Sequence, residues 1–275
     1  MNNFRQHGAA DYAVENSVLE GVSLRQCAAE LQPYCADTLL AVRQKAYYLM
    51  YKKGMATTEN RNDAVQLLLR GLSDANSGVV GQVVGYLQAF SIADFEQSDK
   101  ELINSKLNNL QTPHFKEFVL LAGYLNTGKD VLFRHWLNSE LSQKNRWSIE
   151  LALARMGSPE HVRFCLNQAS QVPINSSFVS YLLPDLIYTR QREAIDFCLS
   201  IIKRDSKDCT SSNPDTPAQI LCGYRAMELL APIIVDFPVR VDASGSLSVG
   251  YDDALAKVRR WIDEGRDYEI NRSVF

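Results

Sequence analysis

No run of apolar residues in this 275-residue chain approaches the roughly 20 needed to cross a bilayer, so no membrane-spanning helix is expected. The first residues, MNNFRQHGAADYAVENS, lack the basic-then-apolar order of a secretory signal. With that start taken as native, the expected location is cytoplasmic; an exported protein already relieved of its signal would read the same way. An excess of one charge is missing too. Lys and Arg number 29 against 32 Asp and Glu, a net charge of −3, which gives no electrostatic case for nucleic acid or an anionic membrane. The six cysteines, at 27, 35, 165, 198, 209 and 222, include no C-x-x-C pair. Cys27, Cys165 and Cys198 fall on apolar helical stripes and are expected to act as small buried hydrophobes. A disulfide framework is not expected in a chain with this much other core.

Catalytic signatures are absent as well: no G-x-S-x-G, Walker loop, dinucleotide glycine pattern, H-E-x-x-H or EF-hand loop occurs. Gly78, Gly81 and Gly85 lie within an amphipathic helix, where small residues admit a close neighbour. His7, His114, His135 and His161 stand on separate elements, none at ligand spacing from another His or from a Cys. Asp252 and Asp253 read as a charge pair at a helix N-terminus. No catalytic residue, metal or cofactor is therefore nominated.

What the chain does contain is helical periodicity. In NRWSIELALARMGSPEHVRFCLNQAS, residues 145–170, Ile149, Ala152, Leu153 and Met156 form one stripe of a helix. Gly157 supplies a left-handed stop, Ser158 and Pro159 a cap and first-turn proline, and Val162, Cys165, Leu166 and Ala169 repeat the stripe. The same rhythm predicts helices over about 12–31 (with Ser23 and Gln26 as a capping box), 38–53, 60–72, 78–91, 98–110 (Ser98 and Glu101 as a box), 112–128 and 130–142. Beyond the opening pair come 173–190 with a kink at Pro184, 192–203, a helix capped by Thr216, Pro217 and Gln219, and a last helix over 252–265. Residues 205–215 read as a polar loop, 237–250 as a short β-hairpin and 266–275 as a trailing end. Midpoints of alternate helices, Ala46, Val83, Ala122, Ala152, Leu182 and Ala226, recur at intervals of roughly 30 to 44 residues. The expected fold is all-α: an α-α superhelix of about six helix pairs in a single domain, with helix pairs over 12–236 and a C-terminal segment over 237–275.

The segment LALARMGSPEHVRFCL, residues 151–166, resembles the short bacterial HEAT repeat, and DANSGVVGQVVGYLQAF, residues 74–90, is similar to the turn and second helix of such a unit. The latter departs by lacking a basic residue early in the helix. The resemblance extends over 38–236 as a pattern and implies a HEAT-like solenoid whose second helices line a concave surface. Eight of the twelve tyrosines fall in those helices, a residue type enriched with arginine at protein interfaces. The contact set this implies is Arg43, Tyr47, Tyr86, Tyr124, Arg146, Trp147, Tyr181, Tyr188 and Arg225. The expected function is a non-enzymatic scaffold for a protein or peptide partner. HEAT-like alternatives are a DNA-binding, alkyl-base glycosylase type and a bilin-lyase type. Trp136, Arg146 and Trp147 favour the first mildly, but Val79–Phe90 carries no charge, and Glu150, Asp185 and Glu228 interrupt any phosphate track.

Overall fold

The computed structural model describes residues 1–7, 15, 16, 19–57, 59, 61–138, 141–211, 218–265 and 267–275. These residues are mostly helical, and among them the one sheet is a two-stranded antiparallel ladder, so the class is all-α. No helix among them is long and apolar enough to cross a membrane. They form two compact units, Met1–His135 with Val274–Phe275, and Trp136–Ser273.

The first unit holds α1 (Asn2–His7), α2 (Leu24–Leu31), α3 (Leu40–Met55), α4 (Arg61–Arg70), α5 (Ser77–Leu87), α6 (Gln97–Leu107) and α7 (Phe115–Tyr124). The next helix, α8 (Lys129–Trp136), reaches its end. Helix α2 packs on α3 and α4, α3 on α4 and α5, α5 on α7, and α6 on α7. Ser23 caps α2 by accepting from the Gln26 amide at 3.2 Å, but the Gln26 side chain turns to Glu30 instead of back to the cap. The capping box of α6 lies two residues earlier than the sequence suggests. Asp99 accepts from the Glu96 amide at 2.8 Å and from Gln66 of α4 at 2.7 Å. Burial decides this register: Asp99 is 3% exposed, and a carboxylate there needs both oxygens answered. Of the three glycines of α5, Gly81 admits a close neighbour, since a Cβ on it would lie 2.4 Å from the imidazole of His114, whereas a Cβ on Gly85 would meet nothing within 4 Å. That ring bonds the Ser77 carbonyl at 2.7 Å from a left-handed position ahead of α7.

The second unit holds α9 (Gln143–Arg155), α10 (Pro159–Ser170), a π-turn over Phe178–Leu182 leading into α11 (Leu183–Tyr188), and α12 (Arg192–Ile202). Strands β1 (Cys209–Thr210) and β2 (Gln219–Ile220) follow, then α13 (Gly223–Leu230) and α14 (Tyr251–Asp263). Helix α9 packs on α10 and α11, α10 on α12, α11 on α12 and α13, α12 on α13 and α14, and α13 on α14. Gly157 closes α9 at φ +85°, with the Ser158 amide reaching back to the Leu153 carbonyl. Pro184 is the second residue of α11, directly after the π-turn, where the Leu183 amide reaches back five residues to the Phe178 carbonyl.

Three expectations fail in this unit, and a fourth is met only in part. Cys209 and Cys222 form a disulfide with a Cα separation of 5.1 Å, against the reading that no bridge would form. That bridge and the β1–β2 pairing (Cys209 with Ile220, Thr210 with Gln219) hold Gln219 in a strand where a helix cap was expected; Thr216 and Pro217 lie outside the described residues. The C-terminal residues do not trail off. The Val235 amide bonds the Glu269 carbonyl, Asn271 bonds Ile233, and the Arg192 guanidinium lies 3.7 Å from the Tyr268 ring centroid. The two backbone bonds pair the segment that follows α13, residues 233–235, with the C-terminal residues. The expected hairpin is reduced to a turn: Val241 bridges Leu247 around Asp242, whose carboxylate takes the Ser244 and Ser246 amides.

Cys27, Cys165 and Cys198 are buried as free thiols, and Cys35 is half-buried. Burial pushes the Cys35 thiol up to about 11 and that of Cys165 to about 12. In denaturant without reductant the chain is expected to titrate four thiols, and all six after reduction. In the native state the buried thiols should react slowly at pH 8. A count of six without reductant contradicts the bridge.

Candidate functional site

From Ser148 to Arg155 helix α9 is buried on every side, because neighbours cover it on more than the stripe that its periodicity marks. Glu150 and Arg155 are therefore enclosed along with Ile149 and Leu153. Glu150 Oε1 accepts from Trp136 Nε1 at 2.6 Å, and Oε2 lies 2.5 Å from His161 Nδ1. The Arg155 guanidinium donates to the Tyr188 and Arg272 carbonyls and lies over the Tyr188 ring, 4.9 Å from its centroid. Cys165 stands one helical turn beyond His161, so Glu150, His161 and Cys165 share the residue types of a nucleophile, base and orienter. Their geometry is unsuited to that chemistry. His161 Nε2 lies 3.3 Å from Glu160, its other nitrogen is committed to Glu150, and both Glu150 and His161 are 2% exposed. Burial raises the Cys165 thiol to about 12, with the Glu150 and Asp185 carboxylates adding to the effect, the reverse of what an activated thiol needs. The cluster organises the core.

The contact residues expected from sequence divide between the two units. In the first, Arg43 is engaged by Asp74 at 2.7 and 3.0 Å and by the Asp37 carbonyl. Tyr47 is buried, and burial raises its phenol. Tyr124 is buried and donates to the Phe90 carbonyl at 3.0 Å. Tyr86 is half-buried, stacked on Tyr51 at 4.4 Å. In the second, Arg146 holds the Trp136 and Asn138 carbonyls, and Trp147 donates to Asp185 at 2.6 Å. Tyr188 is buried under Arg155. Tyr181, 76% exposed, and Arg225 stand at the surface. The buried rings fill the core and offer no contact face, because their helices are covered on the side where a tyrosine falls.

Arg225 belongs to a cavity of about 730 Å³ enclosed by the π-turn, β1, β2, α13 and the start of α14. That size suits a small ligand or a side chain with its flanking backbone. One wall carries the hydroxyls of Ser176, Ser180 and Thr210, and Val179 and Ile220 add apolar surface. Ser176 also accepts the outward-facing amide of Thr210 at 2.8 Å, fixing β1 against the π-turn. The opposite wall is a crossed pair. Tyr224 of α13 donates to Asp252 of α14 at 2.6 Å, and Tyr251 of α14 donates to Glu228 of α13 at 2.5 Å. Their rings meet at 5.2 Å and 60°. Hydrogen bonding to Glu228 lifts the Tyr251 phenol to about 12, and Asp252 acts on Tyr224 in the same direction. Arg225 closes the set on Glu228 Oε2 at 2.8 Å.

No family model matches this chain, and no curated protein matches it in sequence. Among the described residues no group of three or more His, Cys, Asp or Glu is placed to hold a metal. The groove presents ring faces, carboxylate acceptors and hydroxyls on a framework tied by a disulfide. Sequence reasoning singled out Arg225 and read Glu228 only as a charge interrupting a phosphate track, and it gave no role to Tyr251 or to the hydroxyl wall. The one local signal was the i, i+3 pairing of Arg225 with Glu228; the rest is assembled across elements distant in the chain.

Two measurements bear on this geometry. Replacing Glu150 with Ala leaves Trp136 and His161 without their carboxylate, and is expected to cost about 3 kcal/mol in urea unfolding, with Glu150→Gln costing less. In a spectrophotometric titration Tyr251→Phe should remove one late-ionising phenol. Because the folded value is raised, the stability from the Tyr251–Glu228 bond is complete below the ordinary tyrosine range near pH 10 and is lost as pH climbs to about 12.

Proposed function

We propose that this chain is a non-enzymatic binding module that holds a peptide or protein segment in the groove of its second unit. The observation that carries this reading is the crossed Tyr224–Asp252 and Tyr251–Glu228 pair. Each phenol is anchored by the carboxylate of the facing helix, so the rings are oriented before any partner arrives, which lowers the entropy cost of binding. Tyr181, which follows Ser180 of the cavity wall, adds a solvent-facing aromatic of the kind that anchors interfaces. We further propose that the helices of each unit stack as consecutive pairs in the manner of a HEAT-like α-solenoid. Support comes from helices that touch both their immediate successor and the one after it, as α9, α11 and α12 do.

The nucleic-acid alternative draws no support from this groove, where Arg225 is already paired with Glu228. The Cys209–Cys222 bridge also argues for an oxidising compartment over the cytoplasm expected from the N-terminal residues.

Panning a displayed library of random peptides against the whole chain tests the reading. Enriched peptides are expected to bind the native protein and to lose about tenfold or more in affinity on Tyr251→Ala, an anchor-sized effect of at least 1.4 kcal/mol. Helicity should be unchanged by circular dichroism. Failure to enrich any peptide, or binding indifferent to Tyr251→Ala and to Tyr224→Ala alike, overturns it.

A further inference from the structure

Building on that reading of the groove, we infer that its crossed tyrosine–carboxylate wall is a seat for a cationic side chain, the guanidinium or ammonium of an Arg or Lys in the bound peptide. Two carboxylates, Glu228 and Asp252, flank two tyrosine rings in contact, and Arg225 is the cation set against them within the cavity lining. Both oxygens of Glu228 are used, one by Tyr251 and one by Arg225, whereas Asp252 takes Tyr224 on Oδ1 alone. Tyr251 is 38% exposed, leaving ring surface on which a cation is attracted by the π-face.

Arg225 is informative in its own right. Its side chain is 50% exposed and reaches Glu228, whose own side chain is 12% exposed, across a single helical turn at 2.8 Å. An i, i+3 pair with a half-exposed guanidinium holds weakly. The guanidinium therefore occupies Glu228 as an internal stand-in that a better-placed cation displaces. An anionic ligand fits poorly, because its one cationic contact is already neutralised and a second carboxylate stands beside it. The N-terminus of α14 offers it little, since Asp252 and Asp253 occupy the first turn. A neutral polyhydroxyl ligand would use the serine wall and would be insensitive to Arg225's charge.

The test titrates the full chain with an N-acetylated, amidated Gly-Gly-Arg-Gly-Gly peptide, its Lys counterpart and its citrulline counterpart, which keeps the shape and removes the charge. Binding is read from NMR shifts of Tyr224 and Tyr251. The Arg and Lys peptides are expected to bind about tenfold more tightly than citrulline, a gap of about 1.4 kcal/mol, and to weaken as salt rises. Glu228→Gln should abolish the difference. Arg225→Ala should tighten the Arg peptide several-fold by removing the internal competitor, and as an exposed substitution it does not threaten the fold. Equal binding of Arg and citrulline peptides, or weaker binding of the Arg peptide to Arg225→Ala, overturns the inference. If panned peptides lacking any basic residue bind through Tyr251, the cation seat falls and the peptide-binding reading stands. If no peptide binds in either experiment, both fall.

Discussion

A charge sealed inside a helical core must be met by donors in place, and in this protein that requirement is concentrated on Glu150. Its two oxygens are answered by an indole from before α9 and an imidazole from α10, so one side chain fixes where three segments meet. Arg155, one turn and a residue further along the same helix, does the converse by donating to carbonyls at Tyr188 and Arg272. Both groups lie in the enclosed part of α9, Glu150 at 2% and Arg155 at 8% exposure. The register of α9 against α10 and α11 is thereby specified by polar contacts as well as by packing. The same enclosure explains why His161 and Cys165, adjacent on α10, are framework residues and not reactive ones.

The groove follows the opposite rule. Its polar side chains are also paired, but at the surface, and the pairing crosses between α13 and α14 so that each helix orients the other's tyrosine. The wall facing them is held by a separate device, the disulfide and the Ser176–Thr210 bond. Both walls of the groove are thus held by contacts within the chain itself.

Much of the helical framework was legible in the chain because it is written locally. Ser23 as a cap, Gly157 as a left-handed stop, Pro159 in a first turn and the stripes of Val42, Ala46, Val162 and Cys165 all act within a few residues of themselves, and all stand where their spacing implies. What escaped was non-local. Asp99 displaced the Ser98 box because Gln66, 33 residues earlier, reaches it. Tyr268 was docked by Arg192, and Cys209 met Cys222 through a strand pair that no alternation announced. The contact residues suffered most. Position on a second helix does not say which side that helix shows, and Tyr47, Tyr124 and Tyr188 were on covered sides while Tyr251, in a helix given no role, was on an open one.

The bridge between Cys209 and Cys222 spans only 13 positions. A short covalent ring of this kind has a topological effect beyond its entropy. Were any single peptide bond inside the ring severed, the two resulting polypeptides would stay joined through sulfur. Helices α13 and α14 would remain covalently part of the same molecule as everything upstream until the disulfide was reduced.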